Sequence, residues 1–195
     1  MPAPNAGHVV LDIAYVSQKP DFCGEAVVQM VTTYFGRPVS QTKVHEAAGL
    51  KKVKRGAYGS DMFLAIRNLG LKTNPESTMD WHYVTEDEYN RNVQFLIDSL
   101  TARQPVLVGI WDRLGDIPAW EGFVCSHFVL LIGYDLNRRL FYIRDPMRRG
   151  RRTMTFDRFR KHRENKYGIL YQIQFQGFDD PPTEQCESES SPHVE

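Results

Sequence analysis

Four polar side chains in this sequence have the types needed to break an amide bond together. Cys23 stands in "KPDFCGEAVVQM", His127 opens "HFVLLIGYD", Asp145 lies in "YIRDP", and Gln18 precedes the cysteine by five residues. A thiolate can attack a carbonyl carbon, an imidazole can move protons, and a carboxylate can orient that imidazole. An amide N–H can stabilise the oxyanion that forms on the way. The question is which elements would bring these residues together.

Cys23 lies at the predicted start of a helix, "CGEAVVQMVTTYFG", which Gly36 is expected to end. The first turn of a helix has unpaired backbone N–H groups and the positive end of the helix dipole, and both stabilise a thiolate. The alternative is a small buried hydrophobe, because free cysteine is among the most buried residue types. Position alone leaves both interpretations open.

His127 and Asp145 flank a predicted hairpin. Each lies nine residues from Leu136, in the turn "LNRR". If the turn centres there, the two are cross-strand neighbours on one face, and the carboxylate would fix the orientation of the imidazole. The alternatives are a core histidine bonded to a carbonyl and a turn aspartate before Pro146. For Gln18, the alternative is an ordinary solvated side chain.

The elements around these residues divide into helices and then strands. Ser40 and Ser60 are predicted to cap two short helices that glycines end, and the capping box "TEDE" at 85–88 opens a longer one through about Ala102. After Pro105 come four β-branched and aromatic segments, "VLVGIW", "HFVLLIGYD", "LFYIRD" and "YGILYQIQFQ". The pattern predicts an α+β fold, with a helical N-terminal lobe packed on a C-terminal antiparallel sheet and a cleft between them.

Composition limits the class of protein. A chain of 195 residues with zero formal net charge favours one domain and no nucleic-acid or membrane partner. Three widely spaced cysteines cannot form a disulfide framework, and no signal peptide or transmembrane run is evident, so we expect a soluble, cytoplasmic protein. We expect a flexible N-terminus at 1–10, a folded domain at 11–176 and a disordered acidic, Ser-rich tail at 177–195.

Two other clusters have competing interpretations. Cys125 precedes His127 by two residues and could join Cys23 in a zinc site, but no CxxC pair supplies the remaining ligands, so no metal and no cofactor is expected. A basic cluster follows Asp145. It is either a solvated face or a docking patch for an acidic peptide, with nucleic acid third. Its members are Arg144, Arg148, Arg149, Arg151 and Arg152.

With "SQKPDFCGEAVVQMVTTYFG", "HFVLLIGYD" and "YIRDP", the chain resembles the bacteriocin-processing, double-glycine leader cysteine peptidases of the papain-like superfamily, over about residues 11–176. The resemblance implies a papain-like cysteine peptidase fold and a peptide or protein substrate. It implies Cys23 as nucleophile, His127 as base and acid, and Asp145 as the residue that orients the histidine. Gln18 would be the oxyanion donor.

The chain departs from the family pattern beside the cysteine. Phe22 stands where many members have aspartate, and Glu25 where proline or a small residue is common. With no transmembrane segment and no GxxxxGK[ST] loop, it resembles a stand-alone member without a transporter. The alternatives are an acyl- or peptidyl-transferase or a guanylyl-cyclase-like protein on the same scaffold, although the latter branch often has Asn where Asp145 stands. A non-catalytic peptide-binding module is a further alternative.

Overall fold

The computed structural model describes residues 7–50, 56–74, 85–113, 124–163 and 171–179. Five helices and seven strands occur in these ranges, with most helices first and most strands last. In chain order they are β1 (His8–Val10), α1 (Cys23–Tyr34), α2 (Gln41–Ala47), α3 (Gly59–Asn68), β2 (Leu71–Thr73), α4 (Glu86–Thr101), β3 (Val106–Arg113), β4 (Val124–Asp135), β5 (Leu140–Arg144), β6 (Arg151–Thr155), α5 (Phe156–Arg163) and β7 (Gln172–Phe178).

The N-terminal helices have the boundaries that local signals predict, with one exception. The Ser40 hydroxyl accepts the Lys43 N–H at 3.3 Å and caps α2. The prediction that Ser60 caps α3 is wrong, because the helix begins at Gly59 with Tyr58 as its N-cap, and the Asp61 carboxylate accepts the N–H of Tyr58 at 2.9 Å. The glycines after α1, α2 and α3 all have positive φ, as expected for helix ends: Gly36, Gly49 and Gly70.

Helix α4 follows from its capping box and its apolar stripe. The Thr85 N–H donates to the Glu88 carboxylate at 2.7 Å, and the Glu88 N–H donates to the Thr85 hydroxyl at 3.3 Å. Tyr89, the fourth residue of α4, begins the buried face of the helix, on which Leu96 and Leu100 also lie. The predicted helix is therefore confirmed, to within one residue at its C-terminal end.

The strands form one antiparallel sheet in the order β2-β7-β3-β4-β5-β6, with β1 also paired to β4. Helices α1 and α4 pack against β4, and α5 packs against β3. Buried apolar residues from the helices and the sheet join in a single core cluster. The predicted α+β fold, a helical lobe on an antiparallel sheet, is thus confirmed.

Three parts of the predicted organisation need correction. Residues 8–10, placed in the predicted N-terminal segment, form strand β1 and pair with 133–135 of β4. Strand β7 runs through Phe178, so the predicted tail boundary at 177 is too early; the rest of the tail lies outside the described residues. Strands β2 and β6 were not predicted, since one is very short and the other is basic; β2 pairs with the distant β7, and β6 pairs with the neighbouring β5.

Candidate active site

Helix α1 begins at Cys23, which lies half-buried at its first position. The preceding loop turns into the helix through Asp21, whose φ of 63° is one that aspartate tolerates better than most residues. No side chain caps this terminus. Among the described residues the first-turn N–H groups, including that of Cys23, are therefore available for an external acceptor.

Gly24 allows α1 to approach its neighbours closely. A Cβ at this position would lie 2.7 Å from the Met62 sulfur and 3.2 Å from a Phe128 ring carbon. The neighbour Phe128 follows His127 in β4, so this packing fixes the start of α1 against the strand that holds the histidine. The glycine thus has a packing role next to the cysteine.

His127 and Asp145 are in contact and almost fully buried. The His127 Nε2–H donates to Asp145 Oδ1 at 2.8 Å, and the two residues are 3% and 2% exposed. Asp145 Oδ1 also accepts the Met147 N–H at 3.0 Å, and Oδ2 lies 3.4 Å from the Arg148 guanidinium. The predicted contact is confirmed, and it occupies one ring nitrogen of the histidine.

The predicted hairpin register is wrong, although the contact forms. The turn spans 136–139, with Asp135 opposite Leu140, and an irregularity at 131–133 shifts the ladder so that Leu130 faces Arg144. Asp145 follows directly, which makes His127 its diagonal rather than its direct neighbour. Diagonal neighbours on one face are within reach of long or aromatic side chains.

The surroundings of the pair favour a charged imidazole. Burial would lower the pKa of His127, but hydrogen bonds to Asp145 and Cys23 and the charges of both raise that pKa to about 9. Burial alone would raise the pKa of Asp145, whereas the hydrogen bond and charge of His127, the Met147 N–H and the Arg148 charge lower it. The histidine thus lies between a carboxylate and a sulfur, each of which favours its protonated form.

Gln18 lies against the segment that follows Asp145. Its backbone N–H donates to the Pro146 carbonyl at 3.0 Å, and the Tyr15 hydroxyl donates to the same carbonyl at 3.1 Å. The Gln18 side-chain oxygen is buried and has no hydrogen-bond partner among the described residues. All four predicted site residues therefore belong to adjoining segments, while their roles stay predictions.

A second buried acid–base pair adjoins the cysteine, and sequence reasoning missed it. Glu25 is 0% exposed, and its Oε1 accepts from His45 Nδ1–H and from the Ala57 N–H, both at 2.9 Å. The Phe22 ring stacks on His45, with centroids 4.8 Å apart and planes at 15°. The available signal was helical spacing, since Glu25 shares a face of α1 with buried Val28.

This architecture is the fold of the papain-like cysteine peptidases. Similar solved structures include a candidate C39-like peptidase from Bacillus anthracis, with a TM-score of 0.59 at 18% identity, covering 88% of this chain and 99% of that one. A double glycine motif protease from an AMS/PCAT transporter, in complex with the leader peptide, has a TM-score of 0.54 at 19% identity over 86% and 95% of the two chains. The cysteine protease xylellain from Xylella fastidiosa has a TM-score of 0.53 at 13% identity over 89% and 87%.

The family profile is more specific than the fold. A profile of the peptidase C39-like family matches residues 10–174, and the chain belongs to this family. A comparison with curated proteins finds no match. Within the described ranges, no helix has both the length and the apolar character that crossing a bilayer requires.

Proposed function

We propose that the chain is a cysteine peptidase in which Cys23 is the nucleophile and His127 is the base and acid. Asp145 holds the imidazole in place, and Gln18 together with the Cys23 N–H stabilises the oxyanion. The observation that carries the proposal is the 2.8 Å contact between His127 Nε2 and Asp145 Oδ1. Because Asp145 occupies Nε2, the other ring nitrogen is the one that can exchange a proton with the sulfur.

The first half of the reaction forms a thioester. The Cys23 sulfur attacks the carbonyl carbon of the substrate, and the C–S bond forms as the carbonyl electrons move to oxygen. The tetrahedral intermediate then collapses, the C–N bond breaks, and the leaving amine takes the proton from the His127 imidazolium. Because the pKa of His127 is about 9, the imidazole holds that proton at neutral pH until it transfers the proton to the leaving amine.

The second half of the reaction hydrolyses the thioester. Neutral His127 now takes a proton from water as the oxygen attacks the acyl carbon. The C–S bond breaks, the carboxylic acid leaves, and the imidazolium facing the sulfur is restored. The same amide donors would stabilise the oxyanion in both halves, which is why Gln18 matters to each.

The expected substrate is a peptide with small residues before the cleaved bond. One structural relative is a double glycine motif protease crystallised with a leader peptide. A short synthetic peptide with two glycines before the cut is therefore the first substrate to test. Product analysis with and without an added amine acceptor distinguishes hydrolysis from acyl transfer.

Alkylation tests the nucleophile without a known substrate. Iodoacetamide is added at neutral pH, and mass spectrometry measures the labelling rate at each of the three cysteines. The proposal predicts fast labelling at Cys23, lost in His127→Ala. His8→Ala is the matched control, since that histidine is exposed on β1, and it should label like the wild type. Equal, slow labelling of all three cysteines in the wild type would refute the proposed nucleophile.

A further inference from the structure

A basic pocket lies beside Asp145, on the side of the carboxylate that Arg148 contacts. Its basic side chains are Arg148, Arg152, Arg158 and His162, and its apolar walls include Ile110 and Ile143. These basic side chains come from three separate segments: the turn after β5, strand β6 and helix α5. We refer to these residues as the basic pocket.

One carboxylate of the described residues, Asp145, lines this pocket. Arg148 lies 3.4 Å from Asp145, but that carboxylate already accepts hydrogen bonds from His127 and from a backbone N–H. Arg158 Nε donates to His162 Nε2 at 3.3 Å, and in the described part of the chain no carboxylate pairs with Arg152. Among the described residues, Arg152 and Arg158 therefore supply positive charge that an external anion can meet.

Protection of a sheet edge explains only part of this arrangement. Strand β6 is the last strand in the order of the sheet, and charged residues on such a strand deter association with other chains. That account covers Arg151 and Arg152, which are exposed on β6. It does not explain Arg158 and His162, which come from α5 and line the same pocket. Convergence of groups from different elements is what an anion-binding site requires.

The edge of β6 also suits an extended peptide. Its partner β5 covers one side, and no described strand pairs with the other. Arg151 pairs with Arg144, the last residue of β5, and Asp145 follows Arg144 in the chain, so β6 begins near Asp145. A peptide strand added along β6 would thus begin near the proposed active site and pass the basic pocket.

We propose that the basic pocket binds a carboxylate side chain of the peptide substrate, so that the preferred substrate is acidic on the part of the peptide that lies along β6. That the bound peptide is a substrate rests on the proposed function, whereas the binding of the peptide does not. Arginine suits this task because its planar guanidinium can donate two parallel hydrogen bonds to one carboxylate. Arg152 and Arg158 are the two guanidinium groups of the pocket that are not in contact with Asp145.

Binding is measured in the full chain with Cys23→Ala, so that no cleavage occurs. The probe is a short fluorescent peptide rich in glutamate, compared with the same peptide carrying glutamine, by fluorescence anisotropy at low salt. We expect the glutamate peptide to bind at least about tenfold more tightly, because charge-assisted hydrogen bonds contribute that much or more. Arg152→Gln/Arg158→Gln should remove the difference.

The matched control removes the same charge elsewhere. Arg67→Gln/Arg91→Gln takes two exposed arginines from helices α3 and α4, and should leave the affinity within about twofold. Arg152→Lys/Arg158→Lys keeps the charge but loses the planar donors, so it should bind at an intermediate affinity. Because Arg152 and Arg158 are both exposed, these variants should fold, and circular dichroism checks this.

Each outcome supports or overturns the inference. If the Arg152→Gln/Arg158→Gln variant binds the glutamate peptide as tightly as the protein with the unchanged pocket does, the inference is overturned, whatever the alkylation of Cys23 shows. So would a single-stranded DNA of the same charge that displaces the peptide at lower concentration than unlabelled peptide does, since that identifies a nucleic-acid site. Peptide binding lost only in the pocket variant supports it, even if Cys23 proves unreactive and the peptidase proposal fails.

Discussion

Raising the pH through the titration of His127 should destabilise the folded protein. The pKa of this imidazole is raised from 6.5 to about 9 on folding, with burial opposing and the hydrogen bonds and charges of Asp145 and Cys23 prevailing. A raised pKa stabilises the fold fully below pH 6.5, and the contribution is lost as the pH rises to about 9. At about 1.4 kcal/mol for each pH unit, the loss is about 3 kcal/mol.

Urea denaturation at intervals from pH 6 to pH 10 measures this loss as a fall in the free energy of unfolding. Other groups also titrate in this range, so the informative quantity is the difference between the wild type and His127→Gln. The variant lacks the titrating imidazole but keeps an amide N–H that can donate to Asp145. The difference should decrease by about 3 kcal/mol between pH 6.5 and pH 9.

A difference in unfolding free energy that does not change with pH would refute this reasoning. It would mean that the imidazole is not stabilised in its protonated form by the groups around it. A second readout is the NMR titration of the His127 ring, whose midpoint should lie near pH 9. Asp145→Asn should lower that midpoint, because it removes the charge and the charged hydrogen-bond acceptor beside the ring.

Three further substitutions test the supports of the site. Glu25→Ala leaves two buried donors without an acceptor, the Ala57 N–H among them, and should cost about 2–6 kcal/mol in urea denaturation, largely restored in Glu25→Gln. Gly56→Ala would place a Cβ 1.8 Å from the Asp21 carbonyl oxygen. The substitution should lower the free energy of unfolding by about 1–3 kcal/mol. It should also slow iodoacetamide labelling of Cys23, which lies two residues after Asp21. Thr85→Ala removes the N-cap of α4 and should cost about 1 kcal/mol without changing that labelling.

Local signals explain why much of the fold was predictable. The capping box at 85–88 and the helical spacing after Cys23 act within a few residues, so a single sequence contains them. The hairpin register is different, because the irregularity at 131–133 lies where the N-terminal segment meets β4: Val10 is opposite Gly133, and the Ile132 carbonyl accepts the Leu11 N–H at 2.7 Å. Strand β6 similarly exists because β5 offers an edge, and its basic sequence does not indicate a strand.

The residues that depart from the family pattern near Cys23 form one structural unit. A carboxylate at Glu25, two residues from the cysteine, would by itself oppose a second negative charge there. In the fold, however, it is buried and accepts from two donors, the His45 ring and the Ala57 N–H. Phe22 stacks on that same ring. The two departures are therefore explained together, because Phe22 and Glu25 both contact His45 and so fasten the start of α1 to α2.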